Sequence, residues 1–308
     1  MKSIFTFVLC AIAYTLAPNM DVTFLRTSRL LAAFLVFAAP LLAQNMPQPL
    51  PQSDPMPPPI AEPVDKPYVA PVKLMVDLSD NARRVATVHE EVPVAKGAKE
   101  LVLLYPQWIP GNHSPTGPIS KLAGIVTTVD GKRVQWVRDR VNVYAFHVPL
   151  TGGAKIVGLD FHYLSPIKHS EGRIEVSNEI ADLAWNEVVM YPAGYFARDI
   201  LFDTTLKLPD GWKYATALET ASVHGSTITF KQTPLNTLVD SPLYGGVNYK
   251  RIDLSPTATD IVHLDVFSDS PEDLNVTPDE LESTSASLLK QTSFMARTTM
   301  ITMTFSCC

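Results

Sequence analysis

With 308 residues, 46% of them hydrophobic and 18% charged, the chain has room for one large or two medium domains with a substantial core. Lys and Arg number 25 against 31 Asp and Glu, a net charge of -6. These charges are dispersed without a basic stripe, which argues against nucleic acid, because a polyanion partner needs clustered cations.

Two short apolar runs open the chain, Ile4–Ala17 and Leu30–Ala43, the second preceded by Arg26 and Arg29. Each falls short of the roughly 20 residues that a spanning helix needs. The basic stretch, apolar run and terminal small residue of the second describe a secretory signal. Residues 1–43 are therefore read as a signal peptide region, with Met20 as an alternative start because it heads a complete signal by itself. Cleavage is expected after Ala43, although Leu41 stands where a small residue is favoured; the alternative is one uncleaved anchor. Export, to the periplasm or the medium, is the expectation, with membrane contact only through an uncleaved signal segment. Cysteines occur at 10, 307 and 308 alone, so no disulfide framework is available to the body of the chain.

Residues 44–71 read as a linker: ten prolines fall between 47 and 71, which removes backbone donors and favours extended geometry. From Val72 the pattern becomes that of strands. "VKLMVDL", "RRVATVHEEV" and "ELVLLYP" are short β-rich runs, and "GIVTTVDGKRVQWVRD" joins two more through Asp130-Gly131, a hairpin signal. "VNVYAFHVPL" and "KIVGLDFHYLS" flank Thr151-Gly152-Gly153, which suits a second hairpin. No long amphipathic helix interrupts residues 72–252, so residues 72–257 are expected to form a mainly β domain, an antiparallel β-sandwich or saddle-like sheet.

Residues 258–297 change character. "DIVHLDVFSD" is one more strand, after which Thr277, Pro278 and Glu280 spell a capping box and open a helix. Its Leu281, Leu288 and Leu289 form a face in want of a partner. The tail, 298–308, shows neither helical nor strand-like patterning.

Local seats for catalysis are missing from the sequence. A zinc peptidase helix places two histidines one turn apart with a glutamate between; the nearest string, "HEEVP" at His89, lacks the second histidine. No Gly-x-Ser-x-Gly elbow or Gly-rich phosphate loop occurs. His89, His113, His147, His162, His169, His224 and His263 sit mostly on strands and read as hydrogen-bonded or surface residues, and the pair Glu90 and Glu91 reads as solvated edge charge. No catalytic and no metal residue is assigned. One stretch stands apart, "LLYPQWIPGNHSPTGPISKLAGI", where prolines and glycines hold an irregular loop around Trp108, Pro110, Gly111, Asn112 and His113. Such a loop either presents contacts or is a structural turn whose tryptophan plugs the end of the sandwich.

"YPQWIPGNH", the strand-rich body and "TPLNTLVDSPLYGG" together resemble the N-terminal β-domain of the glycyl aminopeptidase family of zinc peptidases, metallopeptidase family sixty-one. The resemblance runs from about Val72 to about Ala296. It implies a full-length enzyme in which this β-domain precedes a thermolysin-like α/β catalytic domain that binds zinc and a peptide or protein substrate. Only the first strand and helix of that catalytic domain fall within this chain, so no cofactor and no zinc-dependent hydrolysis are expected of it. The loop here continues "NHSPTGPI", unlike the tyrosine- and arginine-containing continuation of other members. Read one nucleotide out of frame from Arg297, "RTTMITMTFSCC" permits "RHYYDHYDFLLL", which is closer to the family's continuation; the tail is thus read as frameshifted. The competing reading is a free-standing exported β-sandwich that binds a peptide, glycan or protein partner.

Overall fold

The computed structural model describes residues 53, 55–109, 112–168, 170, 174–254, 262–294 and 302–306; the signal region at 1–43 lies outside them. Every element below belongs to the unit Pro57–Cys308.

Strands β1 (Val72–Asp77) and β2 (Val85–Pro93) come first, followed by β3 (Glu100–Leu104), β4 (Leu122–Val129), β5 (Lys132–Val134), β6 (Val137–Arg138), β7 (Ala145–Pro149) and β8 (Ile156–Leu164). Next are β9 (Ile180–Leu183), β10 (Tyr191–Pro192), β11 (Leu201–Lys207), β12 (Lys213–Thr216), β13 (Thr220–His224), β14 (Thr227–Phe230) and β15 (Thr233–Pro234). The short helix α1 (Leu235–Val239), β16 (Leu243–Gly246), β17 (Asn248–Asp253), β18 (His263–Ser268), helix α2 (Pro278–Phe294) and β19 (Thr302–Ser306) complete the series.

The expected mainly β fold is the one adopted. The largest sheet runs β13-β14-β11-β1-β2-β8-β4-β5, with β15 also on β11; the others run β10-β3-β7-β6, β12-β16-β9 and β17-β18-β19. Pairing is antiparallel except between β1 and β11, where Val72 partners Phe202, and between β18 and β19. Period-two alternation explains the layering. β1 turns Val72, Leu74 and Val76 inward and Lys73 outward, and β8 does the same with Val157, Leu159, Phe161 and Tyr163. These side chains join Leu103, Phe146 and Val148 of the four-stranded sheet and Leu183 and Leu243 of a third in one core. Each such fully buried side chain contributes about 1.5–3 kcal/mol of apolar burial.

Asp130-Gly131 forms the expected hairpin between β4 and β5, with φ of 48° and 79°. Both residues occupy the left-handed region that a two-residue turn of this hand demands. Thr151-Gly152-Gly153 does not form a second hairpin. β7 pairs with β3 and β6, and β8 with β2 and β4, so this turn carries the chain from one sheet to another. Alternation places a strand's faces but not its neighbours.

Helix α2 begins as its sequence requires: Glu280 N–H donates to Thr277 Oγ1 at 3.3 Å, and Thr277 N–H donates back to Glu280 Oε2 at 2.8 Å. Residues 302–306 of the tail, which lack a strand pattern, nevertheless lie parallel to β18. Backbone hydrogen bonds alone suffice for such an edge pairing. β18 also pairs with β17 across the expected boundary at residue 257, and Phe267 packs with Ile180 and Ala215. No helix among the described residues is long and apolar enough to cross a membrane.

Candidate functional site

The loop that joins β3 to β4 is anchored at both ends. At its entrance Tyr105 is buried and donates its hydroxyl to Glu187 O at 3.0 Å. At its exit Gly117 N–H donates to Gln107 O at 3.1 Å, while Tyr144 donates its hydroxyl to Gly117 O at 3.2 Å. A Cβ at Gly117 would lie 2.0 Å from Pro106 O, so only glycine lets the two ends of the loop cross this closely. In between, Asn112 N–H donates to Ile109 O at 3.0 Å and its side chain to Thr116 Oγ1 at 2.7 Å.

Beneath the exit lies a buried polar network. Lys121 Nζ meets Glu175 Oε1 at 3.2 Å, and Tyr163 donates its hydroxyl to the same oxygen at 3.3 Å. The ammonium also stands 5.6 Å from the Tyr163 ring centroid, within range of a cation–π contact. Burial pushes the Tyr163 phenol far up, with the carboxylates of Glu187 and Glu175 adding to it, and the Tyr105 phenol shifts the same way for the same reasons. Both phenols are therefore permanent hydrogen-bond donors rather than acids.

Against this anchored frame, Trp108 is 63% exposed. It does not plug the sandwich; the tryptophan buried in the core is Trp185, which donates Nε1–H to Ser241 O at 2.9 Å and meets Phe230 edge-on. Asn112 and His113 are exposed beside Trp108, and Pro110 and Gly111 lie outside the described residues. The "LVDSPLYGG" stretch proves to be the cradle of Trp185. Leu238 and Leu243 are buried and Ser241 supplies the acceptor, whereas Gly246 at the end of the stretch packs elsewhere, since a Cβ there would lie 2.9 Å from Glu179 O and 3.1 Å from the Phe267 ring.

Three of the strand histidines are hydrogen-bonded, whereas His263 on β18 stands with Nδ1 4.0 Å from Asp253, beyond hydrogen-bond reach. His89 meets Asp160 at 2.8 Å, His162 meets Thr87 at 3.3 Å, and His147 is held between Asp139 at 3.1 Å and Glu100 at 3.2 Å. The N–H groups of Asn142 and Val141, and then His147, hold the Asp139 carboxyl below the usual range. His113 and His224 are exposed, and His169 lies outside the described residues. Glu90 departs from expectation: it is fully buried, accepts Met190 N–H at 2.7 Å, and burial raises its carboxyl well above the ordinary range. It points inward because it shares a face with Ala86, Val88 and Val92, and only Glu91 on the opposite face is partly solvated.

Sequence reasoning missed the Lys121–Glu175–Tyr163 network. Alternation along β8 marks Tyr163 as inward, but Glu175 comes from an irregular segment with no period.

The sequence from residue 73 to 247 matches the model of the peptidase M61 N-terminal domain. No curated protein matches the sequence. Among solved structures, an aminopeptidase N family protein from Idiomarina loihiensis superimposes with a TM-score of 0.58 at 12% identity, over 76% of this chain and 38% of that one. An M1 zinc metallopeptidase from Deinococcus radiodurans gives 0.43 at 13% identity, over 82% of this chain and 58% of its own. The chain thus spans less than two thirds of either, and at these identities the likeness to the first is one of fold. The match covers more than half of the chain and contains both the anchored loop and the Trp185 cradle, so the chain belongs to the peptidase M61 family and carries its N-terminal domain.

Proposed function

We propose that this chain supplies the non-catalytic N-terminal β-domain of an exported, glycyl aminopeptidase-like zinc peptidase, and that its Trp108–His113 loop is a contact surface for peptide. The observation that carries the reading is an indole held in water on a loop fixed at both ends. A rigid aromatic anchor binds with little ordering cost, which is how contact residues gain affinity. The signal-like residues 1–43 support export.

Zinc enters this reading only through the rest of the peptidase. Among the described residues no three His, Cys, Asp or Glu side chains are placed to hold a metal ion, and both ring nitrogens of His147 already face carboxylates. The described residues do not fit the metal, and no hydrolytic step is assigned to them.

Binding without turnover is the test. Titrating the purified chain with a glycine-initiated peptide should change its tryptophan emission, and Trp108→Ala should abolish that change without lowering Tm. A glycyl anilide should not be hydrolysed. Chelator-sensitive turnover would overturn the non-catalytic reading, and unchanged emission would overturn the contact role of the loop. Secretion from a bacterial host with a mature N-terminus at Gln44 would support export.

A further inference from the structure

The last part of the proline-rich segment is not a spacer. Val64 forms a parallel bridge with Tyr195 and donates its N–H to Gly194 O at 3.2 Å. Asp65 pairs with Arg198 at 2.9 Å, and Lys66 Nζ stands 5.1 Å from the Tyr195 ring centroid. Tyr68 closes the contact. Its ring meets Tyr195 edge-on with centroids 4.8 Å apart, its N–H donates to Asp199 O at 2.8 Å, and its hydroxyl donates to Pro93 O. The floor is a glycine with reason: Gly194 has φ +86°, and a Cβ there would lie 3.2 Å from Ala61 Cβ.

This strap is held lightly. Residues 61–67 are exposed and Tyr68 alone is buried, so the contact rests on backbone pairing, an exposed ion pair, a cation–π contact and one aromatic anchor. The family match, residues 73–247, takes in the Gly194–Asp199 edge but not the strap.

We propose that the Gly194–Asp199 edge is a docking site for an extended, proline-flanked peptide, and that residues 61–68 are its built-in, displaceable occupant. The chemistry recognised is read from that occupant: backbone pairing in parallel register, a carboxylate for Arg198, a cation next to it for the Tyr195 face, and a tyrosine two residues further on. Flanking prolines keep such a peptide extended beforehand, which lowers the ordering cost of docking.

The test uses the full chain carrying Tyr68→Ala and a fluorescent peptide of residues 57–71. The peptide is expected to bind this variant about tenfold or more tightly than wild type, because an internal occupant reduces apparent affinity by the fraction of open sites. Adding Arg198→Glu should weaken binding about twofold to fivefold, the scale of an exposed ion pair, and an Asp65→Lys peptide should restore it. No binding to a folded Tyr68→Ala chain, or equal binding to both chains, overturns the proposal. If Tyr68→Ala does not fold, amide exchange of the wild type decides: the Val64 amide should exchange through local opening, about tenfold or more faster than the amides of β2. Exchange at the β2 rate would make the strap a permanent strand and overturn the proposal.

Discussion

Glu90 reaches across the interior to Met190, accepting its backbone N–H at 2.7 Å, and so one buried acid ties the largest sheet to the segment opposite. Its other oxygen, Oε2, has no hydrogen-bond partner among the described residues.

That arrangement fixes a pH dependence. Burial raises the folded-state value of this carboxyl above its unfolded one, so between the two the folded chain keeps a proton that the unfolded chain has released. Stability from this group is fully present below the unfolded value and falls as pH rises toward the folded value. Glu90→Gln keeps the acceptor and removes the titration. It should raise the urea midpoint at pH 7 and flatten the decline from pH 5 upward. A decline identical to wild type would show that another group causes it.

Trp185→Ala should cost about 3–5 kcal/mol in urea unfolding, because the indole is fully buried and its N–H is bound to Ser241 O. Trp185→Phe should lose less, retaining a ring while leaving the Ser241 carbonyl with the Thr216 hydroxyl, 3.3 Å away, as its remaining side-chain donor.

Gly117→Ala should destabilise by about 1–3 kcal/mol, the usual cost of forced overpacking, since the atom it meets at 2.0 Å is backbone. Gly152→Ala is the control. Nothing lies within 4 Å of a Cβ there and its φ is not positive, so the change should stay within about 0.5 kcal/mol. Equal effects at both sites would mean that the loop ends do not cross as described.

Lys121→Met leaves the Glu175 carboxylate buried without its cation and should cost about 3–5 kcal/mol. Lys121→Met with Glu175→Leu should recover most of that loss. A double variant as unstable as the single one would show that Glu175 is held by Tyr163 instead.

Legibility followed the range of the interactions. The hairpin at Asp130-Gly131 and the capping box at Thr277 are local, and the residues that make them are adjacent in sequence. Glu90 was readable in principle, since Ala86, Val88 and Val92 share its face, but its charge argued for solvent more loudly than its position argued for burial. The turn at 151–153 has hairpin chemistry, yet the partners of β7 and β8 are chosen by distant strands. Trp108 and Trp185 are the same residue type, and only the cradle built by Leu238, Ser241 and Leu243 decides which is buried. The strap around Tyr68 was hidden by proline content, which describes a free chain well and a docked one equally well.

The parallel pairing of β1 with β11 sets a timetable for synthesis. Val72 leaves the ribosome early, while its partner Phe202 is made much later; at roughly 5–20 residues per second the delay is on the order of ten seconds. Throughout that interval a half-built sheet has one flank waiting. A premature stop in the middle of the chain would therefore release a product whose β1 edge stays unpaired, a target for chaperones and proteases.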